Sequence, residues 1–246
     1  VGGFEVNSLV ARQTQLDFYR REGGWSDSLA QSLLNEMFFP LYAVMFPARA
    51  TTPETWIETR GDPVHFVLPV YQRYTGRSPV LADGTVDPEL TSLYRESVWL
   101  SLGWALLDPG MAQQGMAFFD KGFASRDAWM PVRTEHFRWT WGTQFNPSPL
   151  GYELFLSNYL GLGERTVEVA LKVGRPFKNR GLRLHAPDLY ETDHVRLGLE
   201  TEVWDQDVYG VGVLVSGEAE LRLSNGLGLI GWVGYKDKGY SLGRAL

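Results

Sequence analysis

The segment from residue 195 to residue 203 reads VRLGLETEV, so that apolar side chains alternate with glycine or polar and charged residues. The same period of two recurs in the segments 167–173 and 209–216. In a β-strand, successive side chains point to opposite faces of the sheet. We therefore predict a sheet with one apolar face and one face that combines glycine with charges of both signs.

The alternation continues through the second half of the chain and predicts seven strands joined by short turns. Asn225-Gly226, between two alternating segments, is typical of a tight hairpin. Links this short make neighbouring strands antiparallel. The predicted strands are His136–Asn146, Gly151–Leu160, Thr166–Val173, Gly181–His185, His194–Trp204, Val208–Leu223 and Leu227–Tyr235. With one further strand they would close a small barrel of about eight strands.

The first half of the chain reads mainly helical, with proline-rich turns between the helices. Asp87-Pro88-Glu89 combines an N-cap residue, a proline at the first helical position and an acid in the first turn. The predicted helices are Ser8–Arg21, a segment from Ser26 or Asp27 to Pro40, a segment from Asp87 to Asp108, and Met111–Phe119. Val64–Tyr71 is predicted as a possible strand. The expected fold class is α+β, with a helical region 1–134 and an antiparallel barrel or curved sheet 135–246.

The composition narrows the possible functions. The chain has 246 residues and a net charge of −6, with acidic and basic residues interspersed, so nucleic acid is not an expected partner. It contains no cysteine, which excludes disulfides, thiolate metal sites and a cysteine nucleophile. No apolar stretch reaches the roughly 20 residues of a membrane-spanning helix. Because the chain starts at Val1 without methionine, we expect a processed N-terminus from which a signal peptide has been removed.

Two orientations of the sheet are compatible with the alternation. An outer-membrane barrel turns its apolar face to lipid, and glycines on the polar face then leave room for long charged side chains inside. A soluble barrel turns the apolar face inward; Leu214, Ile230 and Trp232 on the polar face, and the non-aromatic last residue Leu246, favour this alternative. The length of Val208–Leu223 favours the membrane barrel, since globular strands average about 5–6 residues.

We expect a bacterial outer-membrane protein with a structural, assembly, or lipid or solute transport role. Its expected partners are membrane lipid and other envelope proteins, and no cofactor is predicted. The alternatives are a soluble periplasmic or secreted binder of an apolar ligand, similar to a lipocalin in principle, and a lipid hydrolase on a membrane barrel. The expected network of charges inside the barrel consists of Arg138, Glu168, Lys172, Arg196, Glu200, Glu202, Glu218, Glu220 and Arg222.

Two further sets of residues are candidates for chemistry. His136 is a candidate general base, with Ser148 or Ser157 as nucleophile, although no Gly-x-Ser-x-Gly motif supports either serine. A predicted loop concentrates imidazole and carboxylate groups, the ligands that zinc or calcium prefers. This candidate metal site consists of His185, Asp188, Glu191, Asp193 and His194. A solvated acidic loop is the simpler interpretation of the same residues.

Overall fold

A computed structural model of the chain describes residues 2–20, 37, 39, 41, 62–110, 112, 113, 116, 129–223 and 228–242. Within these residues, three long helices precede the sheet: α1 (Gly2–Arg20), α2 (Asp62–Thr75) and α3 (Pro88–Leu106). The N-terminal helix and the helix that starts after Asp87 are confirmed. The predicted helix that ends at Pro40 and most of the predicted segment Met111–Phe119 lie outside the described residues.

Among the described residues, the sheet has eight strands whose spatial order is their sequence order, and every neighbouring pair is antiparallel. The strands are β1 (Val132–Arg133), β2 (Phe137–Ser148), β3 (Gly151–Leu162), β4 (Arg165–Pro176), β5 (Asn179–Glu191), β6 (Val195–Gln206), β7 (Gly210–Arg222) and β8 (Gly228–Lys236). All seven predicted strands are present, so the predicted α+β fold with an antiparallel meander is confirmed.

Predicted and observed strand ends differ most in β5. The sequence predicted that this strand ends at His185 and that a loop follows, but β5 continues to Glu191. Its pairing with β6 shifts register between Ala186 and Tyr190, which is the mark of a bulge or a similar irregularity. The irregularity interrupts the alternation of apolar and polar residues. A prediction based on a period of two therefore misses the second part of the strand.

Within the part of the chain that the structure describes, the sheet is open, and the predicted closed barrel is not observed. β1 and β8 are its two edge strands, and β1 pairs with β2 through two residues, Val132 with Trp139 and Arg133 with Arg138. Farther along, the helical region covers the edge of β2: the Thr143 backbone N–H donates to Asp108 at 2.8 Å. Ser8 Oγ donates to the Phe145 carbonyl at 3.2 Å. These contacts, and the two-residue length of β1, explain why β2 has no full-length partner on this side.

The polar face of the sheet carries helix α1 and is called the inner face. Gln15 of α1 lies directly over Gly142 of β2, where even a methyl group would clash with it. Tyr240, after the last strand, contacts both Asn146 of β2 and Gln206 of β6. Because these strands are four positions apart in the sheet, the sheet must curl around its inner face.

Helices α2 and α3 pack together and against the opposite, outer face at β2 and β3. Their shared apolar core includes Phe66, Val70, Tyr71, Leu90, Tyr94, Val98, Phe145 and Tyr152. The possible strand Val64–Tyr71 was therefore a wrong prediction, since this segment lies within α2. Its apolar residues Phe66, Val67, Val70 and Tyr71 have the spacing of one helix face, and that face is buried.

Candidate functional site: the charged inner face

Arg12 of α1 lies at the centre of the first charged cluster on the inner face. Its guanidinium donates to Glu168 on β4 at 3.2 Å and to Glu200 on β6 at 3.0 Å. It also lies 3.4 Å from His185 Nδ1 on β5. His185 Nε2 lies 2.6 Å from Glu218 on β7. One helical residue thus connects groups from three neighbouring strands, and the imidazole extends the network to a fourth.

Glu168 is the most heavily coordinated acid of this cluster, and it is fully buried. Besides Arg12, it accepts hydrogen bonds from Arg183 at 3.1 Å and from Ser157 at 2.7 Å. A buried carboxylate is costly unless it is paired and hydrogen-bonded, and both requirements are met here.

A second cluster surrounds Lys172 of β4, which is buried. Lys172 forms an ion pair with Glu202 of β6 and lies 3.9 Å from Glu153 of β3. Glu153 accepts hydrogen bonds from Asn146 and Asn179, and Glu202 accepts one from Ser241. The two acids are therefore stabilised by Lys172 and by amide and hydroxyl donors from β2, β5 and the segment after β8.

A third cluster lies near the C-terminal end of α1, where the inner face opens to solvent. Arg20 of α1 pairs with Asp188 at 3.2 Å. Arg196 pairs with Glu220 at 2.5 Å, and Arg222 pairs with Glu191 at 2.5 Å. These residues border a cleft of about 780 Å³.

All nine predicted network residues lie on the inner face of the sheet, but they have different partners and do not form one network. Glu168, Glu200 and Glu218 belong to the first cluster, and Lys172 and Glu202 belong to the second. The third cluster contains Arg196, Glu220 and Arg222. Arg138 is buried near the start of β2, where its guanidinium donates to the Gly163 carbonyl at 2.8 Å.

Several central residues were not predicted from the sequence. Arg183 lies between Leu182 and Leu184 and has the alternation that would have identified it. Glu153 lies on β3, two residues from Phe155, an aromatic residue on the same face, which weakens the polar pattern there. Arg12 lies on a helix, and no period along the chain indicates that a helix lies against the polar face.

His136 precedes β2 and is exposed, as is the adjacent Glu135, whose carboxylate lies 4.0 Å from the imidazole. Ser157 donates to Glu168, and Ser148 Oγ accepts the Leu150 backbone N–H at 3.2 Å. The described side-chain contacts therefore do not bring His136 together with either candidate serine nucleophile.

The five candidate metal ligands are also distributed. His185 contacts Glu218, Asp188 contacts Arg20, and Glu191 contacts Arg222. Asp193 and His194 are exposed in the turn before β6. Among the residues that the structure describes, no group of three or more histidine, cysteine, aspartate or glutamate side chains is arranged to hold a metal ion. The structure does not bring the five candidate ligands together, because His185, Asp188 and Glu191 lie on β5 and have basic or acidic partners of their own.

The outer face is apolar and largely exposed. Leu171, Val173, Val203 and Val215 on this face are between 44% and 52% exposed. Within the described strands, no outer-face position carries a charged side chain in the segments 137–145, 152–162, 167–173, 182–184, 195–203, 211–221 and 229–235. Charge is thus buried on one face while large apolar side chains are exposed on the other.

Comparison with known proteins found no match to a family model, a curated protein or a solved structure. None of the helices in the described part of the chain is both long and apolar enough to cross a membrane.

Proposed function

We propose that this chain is a membrane protein of the bacterial outer-membrane type, which crosses the bilayer with β2 to β8. The proposal rests on the orientation of the sheet: its outer face is apolar and uncharged, and its inner face carries buried, paired charges. In water, a sheet turns its apolar face to the core, whereas in lipid the apolar face is the one exposed.

The dimensions of the sheet support the same proposal. Strands β2 to β7 contain 12 or 13 residues each, and β8 contains 9. A tilted strand needs about 9–11 residues to span a bilayer. The charged residues Arg175, Lys178 and Asp205 lie at one end of the strands, and Glu164, Arg165 and Asp193 lie at the other. This leaves an uncharged band between two polar rims.

Closure into a barrel is part of the proposal, because unpaired backbone groups at a sheet edge are not tolerated in hydrocarbon. The order of the strands is compatible with closure, which would have to replace the contacts that Ser8 and Asp108 make with the edge of β2. β1 runs antiparallel to β2, and each later strand reverses the direction of the one before it. β8 and β1 therefore run in opposite directions, as closure of an antiparallel barrel of eight strands requires.

The proposed role is structural or in assembly, because α1 occupies the inner face and is held there by ion pairs. Passage or binding of a polar solute is a second candidate, favoured by the charged cleft of about 780 Å³ at the end of α1. Binding of an apolar ligand inside the sheet is disfavoured by the charged inner face. Lipid hydrolysis is disfavoured by the contacts of Ser148 and Ser157.

The first test is a charge substitution on the outer face. Leu171→Arg should destabilise the lipid-folded protein by about 2–4 kcal/mol, the cost of a charge near the bilayer midplane. The matched control is Leu81→Arg, a substitution at a partly exposed residue in the turn before α3, where the change should be within about 0.5 kcal/mol. Urea unfolding in lipid vesicles measures both.

The proposal fails if the protein is monodisperse without detergent and Leu171→Arg unfolds at the same urea concentration as Leu81→Arg. In a soluble protein both positions would be ordinary surface positions, and both substitutions would change the stability only slightly. Detergent dependence of the purified protein provides the independent measurement.

A further inference from the structure

Helix α3 changes character along its length. Its first half carries Glu89, Arg95 and Glu96, whereas no charged residue occurs from Ser97 to Leu107. Three large apolar side chains in this uncharged stretch are exposed: Trp99 is 69% exposed, Leu106 is 68% exposed, and Leu107, the residue after the helix, is 59% exposed. Burial against the sheet explains the other side of the helix but not this one.

Contacts with β2 and β3 fix the height of each part of α3 along the sheet. Tyr152, paired with Pro147 near the end of β2, donates its hydroxyl to Glu96 at 2.6 Å. Farther along β2, Thr143 Oγ1 donates to the Trp104 carbonyl at 2.6 Å, and Trp141 Nε1 donates to the Leu107 carbonyl at 3.2 Å.

The helix therefore runs along β2 from the rim toward the middle of the strand. About 11 residues of helix at 1.5 Å each give roughly 16 Å, and six residues of strand give about 20 Å, so the two distances agree. The charged half of α3 lies at the polar rim. Leu106 and Leu107 lie at the level of Trp141, within the uncharged band of the outer face.

An aromatic cluster makes the exposed side of α3 continuous with the outer face. The ring of Trp141 lies 5.4 Å from that of Trp139 and 5.3 Å from that of Trp129, measured between ring centres. Because Trp141 also contacts Leu107, the apolar surface passes from the sheet to the helix without an intervening charge. The first acid after the helix, Asp108, is buried and accepts from Thr143 N and Gln15 Nε2.

We infer that the C-terminal half of α3 is embedded in lipid beside β2, with Trp99, Leu106 and Leu107 in contact with acyl chains. The inference rests on the proposed membrane location of the sheet. Lipid is the occupant that the structure favours over a protein partner, because this surface lies at the depth of the uncharged band and continues it. The inward-turned Asp108 then lets the helix end at this depth without exposing a charge to hydrocarbon.

The absence of cysteine in the chain allows single-cysteine labelling. Leu106→Cys, Leu171→Cys and Arg95→Cys would each carry an environment-sensitive fluorophore in the intact protein, folded into phosphatidylcholine vesicles. Quenching is measured with a spin-labelled acyl chain and with aqueous iodide. Leu171→Cys reports on the outer face of the sheet, and Arg95→Cys is the control on the charged half of α3.

We expect the spin-labelled lipid to quench the label at position 106 by a fraction similar to that at position 171, and to quench position 95 several-fold less. If position 171 is quenched by lipid and position 106 is not, the inference about α3 fails and the membrane sheet stands. If neither is quenched, the proposed function itself fails. Shielding of position 106 from both quenchers would indicate a protein partner and would also overturn the inference.

Discussion

Individual buried charges in this protein are supported by partners that are far away in the sequence. Arg12 donates to two acids, Glu168 and Glu200, which follow it by 156 and 188 residues. The alternation along β4 and β6 predicts that these acids share a face, because a strand has a fixed period. The same reasoning cannot identify Arg12, because a helix contacts its neighbours on a face that only the tertiary structure selects.

Removing the guanidinium of Arg12 should destabilise the protein strongly. Arg12→Ala removes the cation that pairs with both Glu168 and Glu200, and breaking a buried ion pair in this way costs about 3–5 kcal/mol. Denaturant unfolding measures the loss. Arg77→Ala is the matched control, because Arg77 pairs with Glu89 in an exposed position and such pairs contribute about 0–1 kcal/mol. Equal stability of the two variants would contradict a central role for Arg12.

Among the elements, α3 illustrates how far local sequence signals extend. Its start was predictable, since Asp87 accepts the Glu89 backbone N–H at 2.8 Å as an N-cap residue. Its position on the sheet was not predictable, because it depends on contacts with Thr143 and Trp141 across 39 and 34 residues of sequence. α2 was not recognised as a helix because its valines and aromatics also suit a strand.

The N-cap of α3 should make stability sensitive to acid. The Tyr71 hydroxyl, which donates to Asp87 at 2.6 Å, and the Glu89 N–H hold the pKa of this carboxyl below its ordinary value. A lowered folded-state pKa gives stability that is complete above the unfolded value, about 4, and is lost as the pH falls through the folded value. Asp87→Asn should therefore weaken the decline of melting temperature below about pH 4.

Melting curves of the wild type and Asp87→Asn between pH 2 and pH 7 test this expectation. Tyr71→Phe is the matched control, since it removes one donor and retains the carboxylate, so its acid dependence should be intermediate. Identical acid slopes for wild type and Asp87→Asn would show that other groups control this range.

The hairpin between β2 and β3 depends on one glycine. Gly151 has φ +121°, and a Cβ there would overlap the Arg175 backbone carbonyl. Gly151→Ala should therefore lower the free energy of unfolding by more than a change in backbone preference alone. Gly163→Ala is the control, because Gly163 has φ +62° with open space around it and should cost about 1–2 kcal/mol. Denaturant titration compares the two, and equal losses would contradict the proposed clash.

For the whole molecule, the sequence was informative about the sheet and much less informative about what surrounds it. Seven strands, their order and their charged face follow from a period of two and short turns. The open edge of the sheet did not follow from the sequence, because it depends on contacts that Asp108 and Ser8 make with β2 from distant parts of the chain. The position of α1 over the charged face also has no local signal.

The contacts of Arg12 have a consequence for the order of events during folding. α1 is the first described element to be synthesised, whereas Glu200 belongs to the sixth strand of the sheet. The partner of Arg12 on β6 is therefore synthesised only after most of the chain. The Arg12–Glu200 ion pair also has to join residues that are 188 positions apart in the sequence. Formation of the Arg12–Glu200 contact is thus a late step, which requires a chain that already extends to β6.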